Sequence, residues 1–464
     1  MKSFLRMSAA VTGLVAGLSA CHGDFLSGGE LSVDPNRPTA ASNSQLFVGI
    51  QSNIFYFEVG DLTRIASLFS QHLSGLDRYI PYDQYMITEA TTNGAQRALY
   101  GPGGLADVRR LEAGTSAVKD SVFTGMAQVQ EAMLMAFNAD AFGDVVYTEA
   151  LGPANPKLDK QLVVFDSIQA LLDRAIVNLA ASGPTNVGPR GADLVYHGDP
   201  TKWTELAHSL KARYYLHTAE LPTVSATAYA NAASEAALGI STPANDYTGI
   251  YSGNANETNP WSIIAGPSGR GLLAVNPWFA DTLLVARNDP RRTAYFTVDP
   301  VTLKATSLSA TRVGKSFPQP IVTYAENLLI WAEAAYRGGD EPTALQKLDA
   351  ERALVGLPAE LPTLSGSALL QEILTEKYIV DFQLGLEGWK DYRRTCFPNL
   401  PNRSQLAGAS AVLPMPGRFY YDKDDRLTNT SIPVPGIDPN GIRNQVDPAN
   451  ATADAVGGAC LAGA

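Results

Sequence analysis

The stretch from Val322 to Leu354 most narrows what this chain can fold into. In "VTYAENLLIWAEAAYRGGD", Ala325, Leu328, Leu329, Ala332 and Tyr336 recur at helical spacing and define one apolar face. Gly338-Gly339 then ends the helix, because glycine accepts the backbone conformation that stops one. A second helix is predicted over about 341–354. The pair makes a hairpin, and a hairpin of this size cannot bury its apolar face alone. Stacked hairpins can, which predicts a curved helical scaffold.

The hairpin spans roughly 33 residues, close to the tetratricopeptide period of 34. Further helices are predicted over 45–58, 61–73, 117–140, about 165–181, 226–238, 366–383 and 387–394. In 117–140, Val122, Met126, Val129, Met133, Ala136 and Phe137 share a face. The clearest start is "GDPTKWTELAHSLKARYYLHTA". Asp199 can cap it, and Pro200 suits the first helical position. Trp203, Leu206, Ala207, Leu210, Tyr214 and His217 then form a stripe. Periodicity fails near 76–112 and over 239–320, and the chain beyond 398 reads as loop. The expected fold is mainly α, a tetratricopeptide-like helical-hairpin scaffold with long irregular loop regions forming a binding lobe. Loops longer than ~15 residues on such a scaffold usually carry function.

The N-terminus sets the compartment. Lys2 and Arg6 precede an uncharged apolar run from Met7 to Ala20, about the length of a signal-peptide core and too short to span a bilayer. Leu18-Ser19-Ala20-Cys21 resembles a bacterial lipobox, in which the cysteine is acylated and becomes the new N-terminus. The alternative is an ordinary cleaved signal with an incidental cysteine. Two or more acyl chains hold a protein stably on a membrane. The predicted organisation is a signal peptide over 1–20, a Gly/Ser/Pro tether over 21–42, and one domain over 43–464. Removing Lys2 and Arg6 takes the formal charge from -11 to -13. An acidic chain without a basic run argues against nucleic acid as a partner. Cys396 and Cys460 remain, and an exported chain meets an oxidising compartment, so a disulfide between them is expected.

The charged residues read as structure rather than catalysis. Glu387, Asp391, Arg393 and Arg394 flank Gly388 on one helix. Glu326 and Glu333 lie two turns apart, and Arg213 sits inside an amphipathic helix. Buried ion pairs locking adjacent hairpins together are expected. In Phe142-Gly143-Asp144, the glycine can take a positive φ and the aspartate can satisfy turn amides. Enzyme motifs fail on inspection. Gly314-Lys315-Ser316 ends like a P-loop, but Ser309 occupies the place of its first glycine. "GPSGRG" puts Arg270 where a nucleophile elbow needs glycine. His208 and His217 fall on opposite faces of one helix and cannot share a metal, and "DKDD" at 422–425 lacks the later ligands of a calcium loop. No cofactor, metal or catalytic residue is predicted. Aromatic side chains in the long loops could instead stack on sugar rings: Tyr79, Tyr82, Tyr85, Tyr251, Trp261 and Trp278, with Asn254, Asn256 and Asn259 nearby.

Several stretches together resemble the SusD/RagB lipoproteins. These are "NADAFGDVVYTEALG" (138–152) with "PKLDKQLVVFDSIQALLDRAI" (156–176), "KWTELAHSLKARYYLHTA" with Arg213, "NDPRRTAYF" (288–296), "YAENLLIWAEAAYRGGD" with Glu326 and Ala332-Glu333-Ala334, and "EKYIVDFQLGLEGWKDYRR" (376–394). They fall in family order. The resemblance implies an outer-membrane lipoprotein, lipid-anchored and facing the exterior, that binds oligosaccharide, or peptide in some members. It also implies delivery of that cargo to a SusC-like TonB-dependent transporter without cleavage. A lipid-anchored glycosidase or a purely structural scaffold are the competing expectations. One departure stands out: a W-x-x-L-Y element common in the family survives here as Leu99-Tyr100, without its tryptophan.

Overall fold

The structure is a computed structural model and describes residues 41–92, 94–221, 223–266, 269–401 and 415–433. Ser42 opens the first helix with a reciprocal cap, accepting from the Gln45 amide at 3.3 Å while Gln45 Oε1 accepts from the Ser42 amide at 2.9 Å. Among the described residues, helices of nine residues or more are α1 (Asn43–Glu58), α2 (Asp61–Phe69), α3 (Leu105–Ala117), α4 (Ser121–Phe142), α5 (Gln161–Leu179), α6 (Pro200–Thr218), α7 (Ser225–Ala236), α8 (Tyr324–Arg337), α9 (Glu341–Leu354), α10 (Gly366–Val380) and α11 (Glu387–Thr395). From α3 to α9, each helix packs on the next in the chain, α7 and α8 doing so across the long intervening segment 237–323. The predicted hairpin over 324–354 forms, and α10 packs on both of its helices.

Local chemistry explains the boundaries. Asp199 caps α6 through the Thr201 amide at 2.9 Å, and Thr323 and Asp340 cap α8 and α9 through Glu326 and Thr343, each at 3.1 Å. Gly143 ends α4 with φ 83. Asp144 does more than satisfy its own turn: Oδ1 accepts from the Gln161 amide at 2.9 Å and Oδ2 from Lys160 Nζ at 2.7 Å. One aspartate thus joins the end of α4 to the start of α5.

Two expected irregular regions are corrected in detail. The region 76–112 contains the start of α3, whose Leu105, Val108, Leu111 and Thr115 are buried along one stripe. The glycines at 101, 103 and 104 and the charges at 107, 109, 110 and 112 hid that stripe. Over 239–320 the chain forms short pieces. Strands β1 (Leu73–Gly75) and β3 (Leu273–Val275) pair antiparallel, as do β2 (Tyr247–Gly249) with β6 (Gln319–Val322) and β4 (Phe296–Val298) with β5 (Ala305–Leu308). These ribbons are too short to show a period in the sequence.

The expected ion pairs are present and buried. Arg213 on α6 meets Glu326 on α8, with Nε to Oε1 at 2.5 Å, and lies 3.6 Å from Glu387 on α11. Arg394 on α11 forks onto Glu333 on α8 at 2.6 and 2.7 Å, and Lys377 on α10 reaches Asp391 at 2.6 Å. Arg393 also reaches the main chain. It donates to the carbonyls of Asp140 and Gly417 and lies 3.8 Å over the Trp389 ring. His217 is a satisfied core histidine, with Asp140 at 2.9 Å on one ring nitrogen and Glu387 at 2.8 Å on the other. His208 pairs separately with Glu235 at 2.6 Å. Gly388 follows from the same packing, because a Cβ there would sit 2.5 Å from Cε1 of His72. That ring is held by the Tyr378 carbonyl at 2.7 Å and stacks on the Tyr378 side chain at 4.3 Å.

This network makes stability depend on pH in a definite direction. Burial pushes the Glu58, Glu112 and Glu351 carboxyls up to about 8; Glu387 reinforces the rise at Glu58, Glu131 at Glu112 and Glu376 at Glu351. These groups hold protons in the folded chain that the unfolded chain releases near pH 4.5. Their contribution is complete below that value and is lost as pH rises toward about 8. Burial also raises Glu387, but Arg213 and His217 outweigh it and hold the group down to about 2. Burial holds His72 down to about 4. Both of those contributions fade in acid. Thermal unfolding is therefore expected to show highest stability near pH 4.5, with the melting temperature falling from there toward pH 8, because three carboxyls lose their contribution over that span and His72 alone gains. A melting temperature that rises steadily from pH 5 to 8 contradicts this assignment.

Candidate functional site

A cavity of about 280 Å³ opens between three short segments: the helix Ala95–Tyr100, the loop 145–159, and the helix Lys423–Thr428 with the residues that follow it. This volume sits near the low end for small-molecule sites.

Each wall is anchored by polar contacts. The loop is closed at its base by paired backbone bonds between Val145 and Asp159, at 3.1 and 2.8 Å. The Asp159 carboxylate accepts from the Tyr147 and Thr148 amides at 3.0 and 2.7 Å. Arg109 on α3 donates to the carbonyls of Ala150 at 3.1 Å and Tyr147 at 3.0 Å, and stands 3.7 Å from Glu131 on α4. On the opposite wall, fully buried Asp422 accepts from the Gly94 amide and caps its own helix through the Asp424 amide at 2.8 Å. Arg97 lies 3.1 Å from Asp424, 3.6 Å from Asp425 and 3.8 Å from Asp422. Asn429 donates to the Pro156 carbonyl at 2.9 Å and ties the two walls together. The sequence "DKDD" is thus a helix start, with Arg97 as its counter-ion.

Tyr100 projects into the wall where the sequence singled out Leu99-Tyr100. Its hydroxyl accepts from Asn138 Nδ2 at 2.7 Å and donates to the Val146 carbonyl at 2.8 Å. Burial pushes its ionisation well above the usual tyrosine range. Gln96 stands at the position of the missing tryptophan. It is buried, with Oε1 3.4 Å from the Asp422 amide and Nε2 3.4 Å from Asn138 Oδ1. Burial and the charge of Asp422 raise the Asp425 carboxyl, against the pull of Arg97.

None of the nine residues singled out as possible ligand contacts lines this cavity. Trp261 is 0% exposed, Tyr85 2% and Tyr79 6%; all three belong to the hydrophobic core and present no face to solvent. The physical reason is that the loops carrying them fold back as covering layers whose own cores need large apolar side chains. Tyr82 is half-buried with its ring edge-on to Tyr79 at 5.2 Å. Tyr251 is half-buried and donates to the Phe55 carbonyl at 2.8 Å, and half-buried Trp278 lies 6.0 Å from Tyr378. Asn254 and Asn256 are exposed, and Asn254 donates to Glu257 at 3.0 Å within its own loop. Cys396 is disulfide-bonded. Cys21 and Cys460 lie outside the described residues, so the Cys396–Cys460 pairing stays a proposal, as does acylation of Cys21. Among the described residues no helix is long and apolar enough to cross a membrane, and no cluster of His, Cys, Asp and Glu could hold a metal ion.

Residues 35–350 match the family model SusD-like_2, described as starch-binding and associating with the outer membrane, and residues 363–433 match the SusD-like model of SusD and RagB outer-membrane lipoproteins. Similar solved structures include a chitin-binding SusD homologue from Flavobacterium johnsoniae, 18% identical with a TM-score of 0.71, over 87% of this chain and 98% of that one. A SusD/RagB family protein from Bacteroides thetaiotaomicron is 22% identical with a TM-score of 0.65, over 85% and 95%. A SusD homologue from Bacteroides uniformis is 19% identical with a TM-score of 0.67, over 87% and 99%. No curated protein matches the chain.

Proposed function

This chain belongs to the SusD/RagB family, and from that premise we propose that it captures an oligosaccharide at the cell surface and passes it to a SusC-like TonB-dependent transporter. It does so held to the outer membrane by acyl chains on Cys21, facing outward. The observation that carries the reading is the cavity beside Tyr100. It is preformed, has an apolar floor and a charged mouth, and sits in loops displayed by a rigid stack of helices. A binding protein that releases its cargo needs that combination: shape without covalent chemistry, at an affinity of roughly micromolar to millimolar. Calorimetric titration against neutral polysaccharides is expected to give binding in that range. Purification of the tagged protein from detergent-solubilised envelopes is expected to recover a large TonB-dependent transporter with it. Cys21→Ser is expected to move the protein out of the envelope fraction. Release of new reducing ends during the titration would replace this reading by a hydrolase.

A further inference from the structure

The polar groups lining the cavity are already engaged with the protein. The Tyr100 hydroxyl has a donor and an acceptor, Gln96 meets Asn138 and the Asp422 amide, and Thr428 Oγ1 donates to the Asp424 carbonyl at 3.0 Å. Asn429 uses its amide on Pro156 and its oxygen on the Ser431 amide at 3.0 Å. A bare sugar ring entering such a space would leave its hydroxyls without partners, at a cost of ~1–3 kcal/mol for each buried group. What the lining does offer is aliphatic: buried Ile432 and half-buried Val146, Ala150 and Leu158, with the exposed Leu151 beside them. The remaining charge is at the mouth, where Arg97 is mostly exposed and Asp425 partly so.

We propose that this cavity is a subsite for an acyl substituent on the glycan, the acetamido group of an N-acetylated amino sugar. The methyl packs against the aliphatic lining. The amide N–H and carbonyl stay at the mouth, within the field of the Asp425 carboxylate and the Arg97 guanidinium. The inference rests on the glycan-capture reading and adds the substrate class. A peptide side chain is the other apolar occupant to consider. An extended peptide is commonly held by strand addition to a sheet edge. The three walls are two short helices and a loop whose strand-like ends are already paired to each other, so they present no such edge.

The test is calorimetric titration of the full chain with short oligomers of N-acetylglucosamine, glucosamine and glucose. The acetylated oligomer is expected to bind about four-fold tighter than the glucose oligomer, the factor that burying one methyl-sized group supplies. Glucosamine separates the acyl group from the nitrogen, since its ammonium can still meet Asp425. Ala154→Trp, at an exposed lining position, is expected to fill the cavity and abolish the preference without changing the melting temperature. Equal binding of all three oligomers, or a preference that survives Ala154→Trp, overturns the acyl subsite and leaves glycan capture standing. Binding of none of them, with capture of an apolar peptide, overturns both.

Discussion

Arg394→Ala is expected to destabilise the fold by about 3–5 kcal/mol, a large share of the 5–15 kcal/mol that holds a typical protein together. Arg394 is 2% exposed and Glu333 0%. Besides its fork onto Glu333, the guanidinium reaches Glu220 and Asp391, each at 3.1 Å. It therefore links α11 to α8 and to the chain just after α6. Alanine removes the cation but leaves Glu333 in the interior, where the next cation, Lys377 Nζ, is 3.9 Å away and committed to Asp391. The cost is the stranded carboxylate more than the lost attraction. Two further variants separate these terms. Arg394→Lys keeps the charge but loses the fork and is expected to recover only part of the loss. Arg394→Met combined with Glu333→Leu removes both charges and is expected to cost far less than Arg394→Ala alone. Urea denaturation measures all three. A double variant as unstable as the single one would show that the pair itself, not the orphaned charge, carries the stability.

Trp261→Ala is expected to cost about 3–5 kcal/mol while leaving ligand affinity per folded molecule unchanged. Trp261 lies in the short helix Pro260–Ile264, whose start is fixed by Asn259: its Oδ1 accepts from the Trp261 amide at 2.9 Å, and its Nδ2 donates to the Phe317 carbonyl at 3.0 Å. The indole is fully buried and its Nε1 has no hydrogen-bond partner among the described residues. Its contribution is therefore volume and apolar area, not a directed bond. Trp261→Phe, which keeps most of the volume and removes the unpaired N–H, is expected to cost clearly less than alanine. The readouts are denaturation midpoints and calorimetry on the folded protein. Loss of glycan binding in a Trp261→Ala protein that remains as stable as the parent would return this residue to the site.

The two results bear on what could be read in advance. The hairpin over 324–354 was legible because an amphipathic helix writes its buried face into local spacing, and the caps at Asp199 and Pro200 are local too. The ion pairs were legible as a class. Charged residues inserted in otherwise apolar helices have few ways to be accommodated, and pairing between hairpins is the common one. The partners were not: nothing local says that Arg394 meets Glu333, or that Lys377 meets Asp391. The burial of three loop aromatics was not legible for a related reason. A tryptophan in a segment without periodicity can face solvent or a small local core with the same sequence around it, and Trp261, Tyr85 and Tyr79 take the core.

By itself, the order of amino acids determined a helical scaffold of stacked hairpins and the family to which it belongs. Each of these depends on contacts between residues a few places apart. The cavity was decided by tertiary structure alone, because its walls come from 95–100, 145–159 and 423–432, segments joined by neither periodicity nor motif. Only when α3 and α4 hold the middle segment, and Arg97 and Asn429 clasp the last one, does a concave space exist for a ligand to enter.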